Sequence, residues 1–161
     1  AHERILYEQI LRRFENEVPV SQQLLFPHTV VLTPGDYSLV KELLPHFEQM
    51  GFGIKMFSKN TIAIDGVPPD LRSGSEQKIV EDILALYKEY SQRGQSDARD
   101  NLAKSFSCKA AIKAGDALNG EEMRSLLGQL FQTKMPYVCP HGRPVVLKIS
   151  IEELDRRFGR T

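Results

Sequence analysis

Neither sign of charge is in excess in this chain: lysine plus arginine and aspartate plus glutamate number 21 each. That balance excludes a global positive field able to hold nucleic acid, so any DNA affinity is local or lent by a partner. Cysteine is scarce. Cys108 and Cys139 are too few for a disulfide framework and read as thiols in a reducing compartment. No apolar run is long enough to span a bilayer and no charged-then-apolar signal segment opens the chain, which reads as cytoplasmic and without membrane contact. Internal repeats and low-complexity tracts are also missing. What is present is 41% hydrophobic content in 161 residues, enough to bury the core of one domain or two small ones. The first residues enter a helical pattern at once, as expected of a piece cut from a longer protein.

Tyr7, Ile10, Leu11 and Phe14 follow helical spacing, with Arg4, Glu8 and Arg12 expected as an exposed ladder of opposite charges, and the helix should end near Asn16. "VSQQLLFP" reads as extended, and "HTVVLTP" as a strand bounded by Pro27 and Pro34. Asp36 is a plausible N-cap for a helix kinked at Pro45 and stopped by Gly51. Apolar alternation on either side of Ser58-Lys59-Asn60 predicts a hairpin. Ser73 and Glu76 form a predicted capping box for a helix ending at Gly94, and Gln92 to Asn101 is the best linker candidate. An alanine-rich helix follows, then a helix capped by Asn119, a strand "PVVLKIS", and a short terminal helix boxed by Ser150 and Glu153.

The chemistry concentrates in "YVCPHGRPVVLKIS", where Cys139 and His141 stand two apart with Pro140 between them. Thiolate and imidazole suit a borderline-soft divalent ion, and Pro140 stiffens the bite, but two ligands do not complete a site. The competing reading is a tight proline turn with a buried thiol. Carboxylates that would supply a third ligand are many, and spacing does not choose among them. Glu3 and Glu8 lie about 140° apart around a helix and read first as solvated, ion-paired surface. Cys108 reads first as a small buried apolar thiol. Arg143, and Arg156, Arg157 and Arg160 at the end, offer phosphate contacts or merely solvated charge.

Five stretches together resemble the C-terminal domain family of the mismatch-repair protein MutL, in its endonuclease-bearing branch. That branch carries Asp-Gln-His-Ala, two variable residues, a glutamate, four more residues and another glutamate. "AHERILYE" matches the second half, with Glu3 and Glu8 as the glutamates. "SCK" matches the next motif around Cys108, Cys139 to Arg143 reproduce Cys-Pro-His-Gly-Arg, and Phe158, Gly159 and Arg160 reproduce Phe-X-Arg. "QQLLFP", from Gln22, Gln23, Leu24, Leu25 and Phe26 to Pro27, is similar to the segment with which the family docks on the replication sliding clamp.

The resemblance implies an α+β fold of mixed helices and strands in two small subdomains. Residues 1–27 and 103–161 would form a discontinuous dimerisation and endonuclease unit, and 28–102 an inserted regulatory one. It implies Glu3, Cys139 and His141 as catalytic metal ligands for Zn2+ or Mn2+, with Cys108 as a further ligand or neighbour. Glu8, Arg143, Phe158 and Arg160 would support the site. The implied activity is nicking of double-stranded DNA, bound weakly by the domain alone, in a homodimer recruited by the clamp and acting at the bacterial nucleoid. ATP and the mismatch-recognition protein are implied only through other parts of a full-length protein. The Asp-Gln-His that opens the first motif is absent from the sequence as given, so a partial metal site that cuts poorly or not at all is expected. The alternative is a non-catalytic dimerisation module with at most a structural metal.

Overall fold

In the computed structural model, residues 1–15, 18–71, 76–92, 94 and 97–160 are described. Six helices and a small antiparallel sheet occur among them, an α+β architecture. The order is α1 (His2–Glu15), β1 (Gln22–Val31), α2 (Pro34–Met50), β2 (Gly53–Met56), β3 (Thr61–Val67), α3 (Glu76–Gln92), α4 (Ala98–Ala110), α5 (Gly120–Phe131) and α6 (Ile151–Arg157). No helix among the described residues is long and apolar enough to cross a membrane.

The sheet runs β1-β3-β2, so β1 is an edge strand. It continues through Pro27 instead of starting after it, a correction to the strand boundary. An edge position tolerates the missing N–H of proline, especially at an irregularity. Between Gln23 and His28 the register slips: five steps along β1 are matched by only two along β3, from Gly66 to Ile64. The surplus residues loop outward and leave Leu25 and Phe26 87% and 74% exposed. The β2–β3 hairpin forms as expected, with Lys59 and Asn60 both in the left-handed region at its turn.

One apolar cluster unites α1, α2, α3, α4 and the sheet, with Leu6, Ile10, Phe47, Phe52, Ile83 and Phe106 among its buried members. Phe52 meets Phe47 and Phe106 edge to face at 5.5 and 6.1 Å, a favoured aromatic geometry. α2 is capped by Thr33, whose hydroxyl accepts the Asp36 N–H at 3.1 Å; Asp36 is not the cap. Pro34 decides this, because proline fits the first helical position and holds Thr33 extended before it. Gly51 ends α2 at φ +103°, and a Cβ there would fall 2.1 Å from the Val20 carbonyl oxygen, so both conformation and space demand glycine.

Lys88 and the Thr33 hydroxyl bond to the Asp36 carboxylate and hold it below the usual carboxylate range. A carboxylate lowered in the folded state contributes stability above its unfolded pKa and loses it as pH falls through the folded one. Asp36→Asn is therefore expected to cost about 0.5–1 kcal/mol at pH 7, from the lost pair and the lost charge at a helix N-terminus. In urea titrations the gap to wild type should close below about pH 4. A gap that persists in acid would assign the cost to packing.

Three further expectations are corrected. The polar stretch from Gln92 is not unstructured to Asn101: Asp97 accepts the Arg99 N–H, α4 begins at Ala98, and Asn101 and Leu102 are buried. "PVVLKIS" forms no strand; among its described residues only Pro144 pairs, as an isolated bridge with Val138, because no neighbouring strand extends the ladder. Arg4 and Glu8 are not a solvated ladder but are each 6% exposed. They flank the apolar stripe of α1 and are covered by the segment after α5. Ser73, the expected capping partner of Glu76, lies outside the described residues. Asn119 does cap α5 in a full box with Glu122, while Ser150 caps α6 by accepting the Glu153 N–H.

Candidate metal centre

Pro140 and Gly142 fold the chain back on itself after Val138. The Gly142 N–H donates to the Cys139 carbonyl at 3.0 Å, and the Cys139 N–H to the Arg143 carbonyl at 2.8 Å. Gly142 sits at φ +79°, where a side chain would be strained although nothing crowds its Cβ position. The turn buries Cys139, and its sulfur accepts the Arg143 N–H at 3.3 Å. His141 projects from the same turn toward the first turn of α1, where its Nδ1 meets Glu3 Oε1 at 2.9 Å.

One ligand atom each from Glu3, Cys139 and His141 lie within 4.8 Å of one another. Thiolate, imidazole and carboxylate together fit a borderline-soft divalent ion such as Zn2+, with coordination positions left for further donors or water. Helix and turn are held in register by charges that the sequence reading placed in solvent. Arg4 Nε donates to the Val138 carbonyl at 2.7 Å, one residue before Cys139. Glu8 accepts the N–H groups of Lys134 and Met135 at 2.8 and 3.2 Å, and Arg4 and Glu8 face each other at 3.7 Å. Glu8 thus acts as an anchor for the segment leading into the turn.

Beside the cluster lies a cleft of about 550 Å³, lined among others by Glu3, Tyr90, Cys108, Lys113, His141 and Arg143. Cys108 is half-buried, not fully buried as its apolar setting suggested, and burial followed by the Glu3 charge pushes its thiol pKa up. It shares the cleft but not the group of three. His2, at a variable position of the first motif, also lines the cleft, and its Nδ1 accepts the Ile112 N–H at 2.9 Å. Phe158 and Arg160 do not line the cleft: Phe158 ends α6 with 74% exposure, and Arg160 is exposed.

Residues 1–118 match the family described as MutL C terminal dimerisation domain. The chain belongs to that family. Each of three curated relatives carries the name DNA mismatch repair protein MutL. The one from Chloroherpeton thalassium is 47% identical over 161 residues, covering 100% of this chain and 25% of the relative. Those from Chlorobium phaeobacteroides and Chlorobaculum tepidum are each 48% identical, over 99% and 100% of this chain and 26% of the relative. The chain spans about a quarter of the length of these relatives.

Two residues of this MutL C-terminal domain belong to the site without a local sequence pattern that marks them for it. Arg4 was visible only as an ion-pair partner, although its place beside the apolar stripe was a usable signal. Tyr90, whose hydroxyl lies 2.7 Å from His141 Nε2, gave none, since the two are separated by 51 residues and no local pattern links them.

Proposed function

We propose that this domain is the metal-dependent nicking endonuclease and homodimerisation unit of a cytoplasmic mismatch-repair protein, brought to double-stranded DNA by the sliding clamp. The convergence of Glu3, Cys139 and His141 carries the catalytic reading, because a pure dimerisation module has no need for three donors from both ends of the chain at one cleft. A Zn2+ or Mn2+ ion held there would supply Lewis acidity, lowering the pKa of a bound water and offsetting charge on the phosphate. Glu3 and His141 hold each other in place across the cluster. Arg143 and Lys113 line the cleft wall and would offer cations to a DNA phosphate, Lys113 by releasing its ammonium from the Cys108 carbonyl.

The chain's charge balance supports a division of labour in which the domain binds DNA weakly by itself and a tethered partner raises its effective concentration. Leu25 and Phe26, thrust outward on the bulge of β1, are accessible for clamp docking. Dimerisation is supported by the family description and by Met123, Leu127 and Phe131, which repeat every four residues along α5 and are each about half exposed. That face also favours the second reading, a dimerisation module whose metal is structural.

Two assays on wild type and Cys139→Ser separate the readings. Elemental analysis after dialysis against trace zinc and manganese is expected to find metal near one per chain, lost in the variant. In a chain that also carries the Asp-Gln-His opening of the first motif, with Mn2+ and clamp, conversion of supercoiled to nicked plasmid should fall by about 100-fold or more in the variant, as for removal of a group that positions the reacting centre. Nicking that survives Cys139→Ser would end the catalytic assignment. Metal bound without nicking would leave dimerisation as the function.

A further inference from the structure

Tyr90 stands on the last turn and a half of α3, 7% exposed, and α3 is fixed in the core through Ile79, Val80, Ile83 and Leu84. Its ring lies 5.7 Å from the imidazole of His141 at a 38° tilt, and its hydroxyl reaches Nε2 at 2.7 Å. The other ring nitrogen, Nδ1, is the one that faces Glu3. His141 is therefore gripped through both nitrogens, by a carboxylate on one side and a phenol on the other.

The two partners impose different demands on the ring. In the metal-free protein the Glu3 carboxylate only accepts, so a neutral His141 carries its proton on Nδ1 and Nε2 accepts from the Tyr90 hydroxyl. Were Nδ1, the nitrogen beside Glu3, to hold a divalent ion together with that carboxylate, it would have to give up its proton. The ring would stay neutral by carrying a proton at Nε2 instead, which would then need an acceptor. A hydroxyl is the side-chain group that serves in both states, since it rotates from donor to acceptor without moving its oxygen; a carboxylate or carbonyl would suit only the second. Partners on the far nitrogen of a ligating histidine commonly fix its orientation and tautomer.

We propose that Tyr90 is a positioning residue for the metal centre, its hydroxyl holding His141 in place while the imidazole changes from the Nδ1-protonated to the Nε2-protonated tautomer on metal loading. This rests on the reading of Glu3, Cys139 and His141 as metal ligands. It also gives α3, in the segment read from sequence as an inserted subdomain, a direct hold on a site otherwise built from the two ends of the chain.

The test combines nitrogen-resolved NMR of the imidazole with Co2+ and Zn2+ binding at one fixed pH, measured by competition with a chromophoric chelator. Wild type is expected to show Nδ1–H without metal and Nε2–H when loaded with Zn2+; a loaded ring that keeps Nδ1–H overturns the proposal with no variant needed. Tyr90→Phe retains the ring and its packing and removes only the hydroxyl. It is expected to weaken Co2+ and Zn2+ by about 10–100-fold and to shift the Co2+ absorption bands. A merely structural tyrosine would lower the unfolding midpoint and leave metal affinity, bands and tautomer alone. Unchanged affinity in Tyr90→Phe, together with binding abolished in Cys139→Ser, overturns the role of Tyr90 and leaves the centre standing. Binding that survives Cys139→Ser removes the centre and the role of Tyr90 with it.

Discussion

Glu8→Ala is expected to lower the unfolding free energy by about 3–5 kcal/mol, the scale for removing one partner of a buried ion pair. Each part of that cost has a visible origin. Arg4, 6% exposed, loses its facing carboxylate, and the N–H groups of Lys134 and Met135 lose their acceptor. The buried Arg4 guanidinium left without its counter-charge carries the larger part, and the two partly buried N–H groups add a smaller share. Against a typical stability of about 5–15 kcal/mol the loss is large. Urea unfolding followed by circular dichroism measures it. Glu8→Gln should fall between wild type and Ala, since it keeps one accepting oxygen. Arg4→Ala combined with Glu8→Ala should cost less than the two single changes summed, because the residues share one network. A cost below about 1 kcal/mol for Glu8→Ala would show that the pair behaves as a surface pair.

In the homodimer proposed above, Leu127→Glu with Phe131→Glu is expected to leave only monomers. Both side chains lie on the exposed stripe of α5, 54% and 58% accessible, so neither change empties the monomer core. A two-fold interface repeats every substitution, placing four new carboxylates on an apolar contact. Burying a charge without a partner is costly, and a total of about 4 kcal/mol already weakens association by ~1000-fold. Sedimentation equilibrium gives the dissociation constant. Variants that stay dimeric would move the interface off α5, leaving the exposed apolar residues Leu147, Ile151 and Phe158 near the chain end as the next surface to alter.

The parts of the fold that sequence made legible are those set by short-range chemistry. The stripe of α1, the Asn119 cap of α5, the Ser150 cap of α6 and the left-handed turn at Lys59 and Asn60 are each written within a few residues. The corrected features depend on partners far along the chain. Whether Arg4 and Glu8 meet solvent is decided by residues 134–138, and whether "PVVLKIS" is a strand is decided by whether another strand lies beside it. The site divides in the same way. Cys-Pro-His-Gly-Arg announces two candidate ligands and a resemblance supplies Glu3 as a third, but the hydroxyl on His141 comes from a helix whose own pattern speaks only of burial.

The bulge of β1 bears on a hazard separate from docking. An edge strand offers a row of unpaired N–H and C=O groups on which another chain can add, and a flat hydrophobic edge invites aggregation. Here the row is broken in its middle by Pro27, which has no N–H, and by the surplus residues between Gln23 and His28 that spoil the spacing of any added strand. Leu25 and Phe26 can therefore stay exposed on an open edge without that edge serving as a template for fibre growth.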